Sequence, residues 1–137
     1  MIRILGVTKD KIVYTKPNKD GEDIIKFHHI IKSADGSYIS NLKQFYEFEN
    51  GFRYGVGQCY GEYIYCLLNR QLIRIDTVAE TIRTIKTDAS KVVFDDEYIV
   101  LMKKEERWKN YIIIPPDIKE EFFCNTFPDG ADESVVF

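Results

Sequence analysis

His28 and His29 are the only two histidines in the chain, and they are adjacent. In a β-strand, neighbouring side chains point to opposite faces, so the two imidazoles are poorly placed to bind one metal ion. No third ligand stands at a spacing typical of a zinc site. One imidazole could act as a general base near neutral pH, but it would need a nucleophile or an orienting carboxylate that the sequence does not identify. We therefore predict no metal site, no catalytic residue and no enzymatic activity.

The three cysteines, Cys59, Cys66 and Cys124, give an odd count at spacings that match neither a zinc site nor a redox motif. Cys59 and Cys66 are expected to pack as small buried hydrophobic residues, as free cysteines usually do. The segment 55–57 (Gly-Val-Gly) lacks the third glycine and the following helix of a dinucleotide-binding fingerprint. Its glycines instead indicate a bulge or a close backbone approach, and no cofactor is predicted.

Aromatic residues are concentrated between positions 45 and 65, on both faces of the expected strands. Tyrosine is frequent at protein contact sites because it joins apolar area to a polar tip. Stacked rings can also hold a nucleotide base while nearby arginines contact phosphate, and the same rings could equally form a core. Arg107 and Trp108 form a second candidate contact patch. The residues predicted to bind a partner or ligand are Tyr46, Arg53, Tyr54, Tyr60, Tyr63, Arg70, Arg74, Arg107 and Trp108.

Short segments of alternating side chains, separated by turn residues, predict antiparallel strands along most of the chain. The strongest turn signal is residues 17–21 (Pro-Asn-Lys-Asp-Gly), where proline presets φ and Asp-Gly tolerates positive φ. Residues 69–70 (Asn-Arg) are expected to close a tight hairpin. Residues 42–48 fit either a short helix or a bent strand, and residues 116–123 fit one or two helical turns. Strands are predicted at residues 2–7, 11–15, 23–32, 52–59, 63–68, 71–76, 81–86, 91–94, 97–103 and 108–114.

The fold class that this pattern predicts is all-β, an antiparallel meander with at most one or two short helices. The meander could form a barrel, a sandwich or incomplete propeller-like sheets. In the strand at 23–32, alternation places Ile25, Phe27 and His29 on the face that is expected to be the more buried. One β-rich domain is expected over residues 1–123, followed by a flexible acidic tail at 124–137.

Two stretches, 60–86 and 95–114, repeat a polar turn followed by an alternating strand and a hairpin. Their best-matching segments are Gly-Glu-Tyr-Ile-Tyr at 61–65 and Asp-Glu-Tyr-Ile-Val at 96–100. These repeats resemble the blades of a β-propeller, although the Trp-Asp pair of some blades is absent and the spacing is uneven. The resemblance implies blade-like sheets of consecutive antiparallel strands and implies no particular activity.

The 137-residue chain carries a formal net charge of −3. Because no basic run is present to neutralise phosphates, general nucleic-acid binding is not expected. No apolar run approaches the roughly 20 residues that span a bilayer, and the first residues lack the apolar core of a signal peptide. We therefore expect a small soluble cytoplasmic protein, without membrane association, whose thiols stay reduced.

These observations together predict a non-enzymatic interaction protein that binds a macromolecular partner, foremost another protein and one with a basic surface. An inhibitor or immunity-type protein acting on a basic enzyme fits the size, charge and compartment. The alternative is a β domain that binds a small ligand or nucleotide by aromatic stacking and arginine contacts. A homo-oligomer is a further expectation, because exposed strand edges invite pairing between chains.

Overall fold

The computed structural model describes residues 2–29, 31–32, 38–39, 52–53, 57–104, 106, 109–123 and 134–136. In this part of the chain the regular structure is all β, apart from one 3₁₀ turn at Glu120–Phe122. The all-β antiparallel prediction is therefore confirmed, whereas residues 42–48 lie outside the described residues. The strands are β1 (Ile2–Val7), β2 (Lys11–Pro17), β3 (Asp23–His29), β4 (Ile31–Lys32), β5 (Tyr38–Ile39), β6 (Phe52–Arg53), β7 (Gly57–Tyr60), β8 (Tyr63–Leu68), β9 (Gln71–Asp76), β10 (Thr81–Lys86), β11 (Lys91–Phe94), β12 (Ile99–Lys104), β13 (Lys109–Ile114) and β14 (Ser134–Val136).

The first sheet has the strand order β3-β2-β1-β6. Its first three strands form an antiparallel meander, and β6 pairs with β1 in parallel. The predicted turn between β2 and β3 is present: the Asn18 side-chain oxygen accepts hydrogen bonds from the backbone N–H groups of Asp20 and Glu22, at 2.9 and 3.0 Å. Gly21 supplies the positive φ, +80°, that this turn requires. A separate two-stranded sheet pairs β4 with β5.

The second sheet runs β10-β9-β8-β7, so consecutive strands are neighbours. Asn69 and Arg70 have φ angles of 50° and 63°, which is the left-handed pair of a two-residue hairpin turn. The hairpin predicted at these residues is thus confirmed. The next turn is held by the Asp76 carboxylate, which accepts hydrogen bonds from the N–H groups of Val78 and Ala79, both at 3.0 Å.

The third sheet has the order β11-β12-β13-β14. Its registers place alternate residues on two faces, because paired residues of neighbouring strands share a face. One face is the core side, where Ile99, Leu101, Ile112 and Ile114 are each 0% exposed. The opposite face, called the outer face below, is formed by Lys91, Val93, Val100, Met102, Lys104, Lys109, Tyr111 and Ile113.

The chain forms two compact units, one of Met1–Ile64 with Ile75–Thr81 and one of Tyr65–Arg74 with Ile82–Phe137. The first unit buries Leu5, Val13 and Ile64 completely, and the second buries the four core residues of the third sheet together with Leu72 and Ile85.

The single domain predicted for residues 1–123 stays a prediction. Of the predicted tail, residues 134–136 form β14, and residues 124–133 and 137 lie outside the described residues. The described part contains no helix long and apolar enough to cross a membrane.

Gly57 lies where the backbone of β1 leaves no room for a side chain. A Cβ atom at this position would come within 2.2 Å of the carbonyl oxygen of Leu5. Gly6 is similarly enclosed, since a Cβ there would lie 2.8 Å from Ile64 and 2.9 Å from the Cys59 sulfur. The close backbone approach predicted for the glycines at 55–57 is therefore confirmed at Gly57.

Replacing Gly57 by alanine should lower the free energy of unfolding by roughly 2 kcal/mol or more, because the new methyl group must displace backbone. Gly61→Ala is the matched control: Gly61 has a φ of +62° but open space around it, so only backbone strain of about 1 kcal/mol is expected. Urea denaturation followed by circular dichroism measures both. Equal losses for the two variants would contradict the contact with Leu5.

Candidate functional site

Four of the nine predicted binding residues, Tyr46, Tyr54, Arg107 and Trp108, lie outside the described residues. Arg53 lies in β6, where only its backbone is described. Tyr60 and Tyr63 flank the turn between β7 and β8, and both are half-buried. Arg70 is exposed at the tip of the next hairpin, whereas Arg74 is 7% exposed in β9. The binding role of all nine stays a prediction.

The Arg74 guanidinium holds the segment that follows β13. Its Nη1 donates a hydrogen bond to the carbonyl oxygen of Ile118 at 2.7 Å, and its Cζ lies 4.7 Å from the centre of the Phe123 ring. The Tyr65 hydroxyl binds the same segment by donating to the Pro116 carbonyl oxygen at 2.5 Å. This burial and these contacts give Arg74 a structural role within its own unit. They favour Arg70 over Arg74 as a contact to a ligand or partner.

A polar cluster of Lys11, His29 and Glu80 occupies one end of the first sheet. Lys11 is 7% exposed; its ammonium donates to the Thr77 carbonyl oxygen and lies 3.7 Å from the Glu80 carboxylate. The His29 Nε2 lies 3.2 Å from the same carboxylate oxygen. Glu80 reaches both groups from a left-handed backbone conformation with a φ of 56°, which is costly for a residue other than glycine.

Glu80 places a carboxylate beside the imidazole of His29, and the sequence alone could not identify this partner. Orientation of an imidazole by a carboxylate is one part of general-base catalysis. The second group on this carboxylate is, however, the lysine ammonium of Lys11, not a nucleophile. The arrangement is therefore better suited to holding the turn at residues 77–80 on β2 and β3 than to chemistry.

The predicted face of Ile25, Phe27 and His29 is the more buried one at Ile25 and Phe27, which are half-buried beside the exposed Ile24 and Lys26, but the prediction is wrong at His29. His28 is 7% exposed, whereas the His29 side chain is 63% exposed. The register does not account for this, because His29 pairs with the buried Lys11 and His28 with the half-buried Ile12. His29 is the last residue of β3, where its Nε2 lies 3.2 Å from the carboxylate of the exposed Glu80. Burial, followed by the nearby His29, lowers the pKa of the His28 imidazole below its ordinary value.

The two described cysteines have the environment of packing residues. Cys66 is 0% exposed, and burial raises the pKa of its thiol to about 12. Burial also raises the pKa of the half-buried Cys59. A raised pKa suppresses the thiolate form that nucleophiles and metal ligands need. Among the described residues no group of three or more His, Cys, Asp or Glu side chains could hold a metal ion.

The outer face of the third sheet is the candidate interaction surface. Val93 lies directly opposite Val100, and Val100 lies opposite Ile113, which forms one apolar row across three strands. Met102 and Tyr111 are paired in the next row. Val93 is 54% exposed, and the other apolar residues of the face are half-buried. The sheet therefore carries apolar side chains on both faces, and only one face is the core.

The turn that joins β11 to β12 adds charge at one end of this surface. Asp95, Asp96 and Glu97 are all exposed, and the adjoining Tyr98 is 46% exposed. The turn is closed by a hydrogen bond of 2.9 Å from the Asp95 N–H to the Tyr98 carbonyl oxygen. The sequence shows these residues as part of a repeat and does not predict their exposure, because the exposure of a tyrosine in a strand pattern depends on what covers it.

Arg74→Met should lower the free energy of unfolding by about 2 kcal/mol, because it removes a buried charged hydrogen bond and the contact with Phe123. Arg70→Met is the control at an exposed arginine and should change stability by less than about 0.5 kcal/mol. Chemical denaturation of both variants measures the difference. If the free energy of unfolding of Arg74→Met equals that of the wild type, the guanidinium does not hold the 115–123 segment.

The free energy of unfolding should fall as the pH decreases through about 6.5, the ordinary histidine pKa. Because the pKa of His28 is lowered in the folded state, the unfolded chain binds a proton first, and acid favours unfolding. His28→Gln should flatten this dependence between about pH 7.5 and pH 5. His29→Gln should retain most of it, since burial is the larger cause of the shift. Identical pH profiles for wild type and His28→Gln would exclude this account.

Comparisons with protein-family models, curated proteins and solved structures find no match to this chain. The resemblance of the hairpin repeats to β-propeller blades therefore stays a prediction from the sequence, and any function must be argued from the residues themselves.

Proposed function

We propose that this chain is a non-enzymatic interaction protein that binds a protein partner on the outer face of its third sheet. The observation that carries the proposal is the apolar row of Val93, Val100 and Ile113 on the face opposite the core. A sheet with one solvated face normally places polar residues there. Contiguous exposed apolar area on a folded chain commonly marks a protein contact.

The acidic turn supports a partner with basic side chains. Asp95, Asp96 and Glu97 precede Tyr98 in the turn, and all four residues are exposed. Tyrosine contributes strongly to binding where its ring is covered by a partner, and carboxylates at the rim speed the encounter with a positively charged surface. A basic enzyme held on this surface would make the protein an inhibitor.

Affinity capture with Val93→Arg tests the surface, because an arginine in the apolar row would clash with a docked partner. Val78→Arg is the matched control, since Val78 is a 64% exposed valine of the other unit. Proteins retained by wild type and by Val78→Arg should be lost from Val93→Arg. Both substitutions replace exposed side chains, and circular dichroism should show unchanged folding.

Charge is tested separately with Asp96→Lys combined with Glu97→Lys. The control, Asp20→Lys with Glu22→Lys, makes the same change of net charge at exposed positions of the turn between β2 and β3. The first pair should weaken capture, most strongly at low ionic strength, where exposed charges are least screened. Equal capture by all variants would rule out the outer face and its acidic turn as the binding surface.

A further inference from the structure

The outer face of the third sheet has opposite charge at its two ends. The turn between β11 and β12 places three exposed carboxylates, at residues 95–97, at one end. At the other end the exposed side chains of Lys91, Lys104 and Lys109 belong to the face itself. The apolar rows lie between these ends. Along the strand direction, the face is therefore negatively charged at one end, apolar in its middle and positively charged at the other end.

The lysine end contains a pairing that is unfavourable in the isolated chain. Lys104 lies directly opposite Lys109 on the neighbouring strand, and like charges in directly opposed positions destabilise a sheet. The described acids nearest to this end in sequence, Asp88 and Glu106, are exposed in loops and do not belong to the face. Carboxylates brought over the pair from outside would relieve the repulsion.

We infer that the partner on this face is a second copy of the same chain, an inference that rests on the proposed function of the outer face. The two outer faces pack against each other about a two-fold axis that lies between them and perpendicular to the strands. This operation reverses the strand direction, so that the acidic turn of each copy meets the lysine end of the other. Val93, Val100 and Ile113 of the two copies meet in the middle.

A two-fold contact requires a surface that complements itself, with each residue contact occurring twice. The reversal of charge along the face satisfies this requirement. A six-residue strand is about 20 Å long, which is more than two Debye lengths of about 8 Å at physiological ionic strength. The charges at the two ends therefore act independently of each other. The alignment that places unlike charges opposite each other is favoured over the alignment that places the acidic turn of one copy on the acidic turn of the other.

The size of the face sets the strength of the dimer. Strands of four to six residues, spaced by about 4.8 Å, give a contact at the small end of specific protein interfaces. The dimer is consequently weak and depends on concentration and on salt.

Sedimentation equilibrium of the full chain over a concentration series tests the inference. Wild type and Val78→Arg should show the same monomer–dimer equilibrium, and Val93→Arg should raise the dimer dissociation constant at least about tenfold. Two charge variants, Lys104→Glu with Lys109→Glu, and Asp96→Lys with Glu97→Lys, should each be monomeric alone. Mixed together, they should associate, because the substituted end of each variant then again faces residues of opposite charge on the other.

A monomeric wild type at all concentrations would overturn the second-copy inference, and so would failure of the mixed charge variants to associate. Loss of captured proteins from Val93→Arg would in that case leave the proposed function standing, with a different protein as the partner. A dimer unaffected by Val93→Arg uses another surface and also overturns the inference. If capture is unaffected as well, both the inference and the proposed function fail.

Discussion

The registers of β12 with β11 and with β13 determine what the second unit presents to its surroundings. Residues 99–102 of β12 are paired with both neighbouring strands, so a shift of one position would exchange the two faces of this strand. In the observed register, Ile99 and Leu101 are fully buried and Val100 and Met102 belong to the outer face. The core thus selects the register, and the register in turn gathers the apolar rows and the three lysines on one surface.

Turn chemistry and alternation make most of the described strands predictable from sequence. The turn at Asn18–Gly21 and the hairpin at Asn69-Arg70 depend on interactions between residues at most four positions apart, which are visible in the sequence. Of the one or two helical turns expected at residues 116–123, one 3₁₀ turn forms, at Glu120–Phe122. Its segment is held by Tyr65 and Arg74, whose partners lie 51 and 44 positions away.

The candidate surface was less predictable because exposure is a property of the assembled sheet. Alternation identifies the residues that share a face, as for Val93 and Val100, but it does not say which face becomes the core. The same limit applies to His28 and His29: period two separates them correctly, but it does not reveal the contact of His29 with the carboxylate of Glu80, 51 positions away. Arg74 was predicted to be available to a ligand because the sequence does not reveal its contact with Ile118.

The Lys11–Thr77 hydrogen bond joins residues 66 positions apart, and it belongs to a unit made of two separate stretches of chain. During synthesis, β1, β2 and β3 leave the ribosome before residues 75–81 are added to the chain. These strands must therefore wait for the Thr77 carbonyl oxygen that accepts from the Lys11 ammonium. Domains whose contacts are distant in sequence form slowly and expose aggregation-prone surface in the meantime, so the speed of translation between residues 30 and 81 influences how much of the chain reaches the folded state.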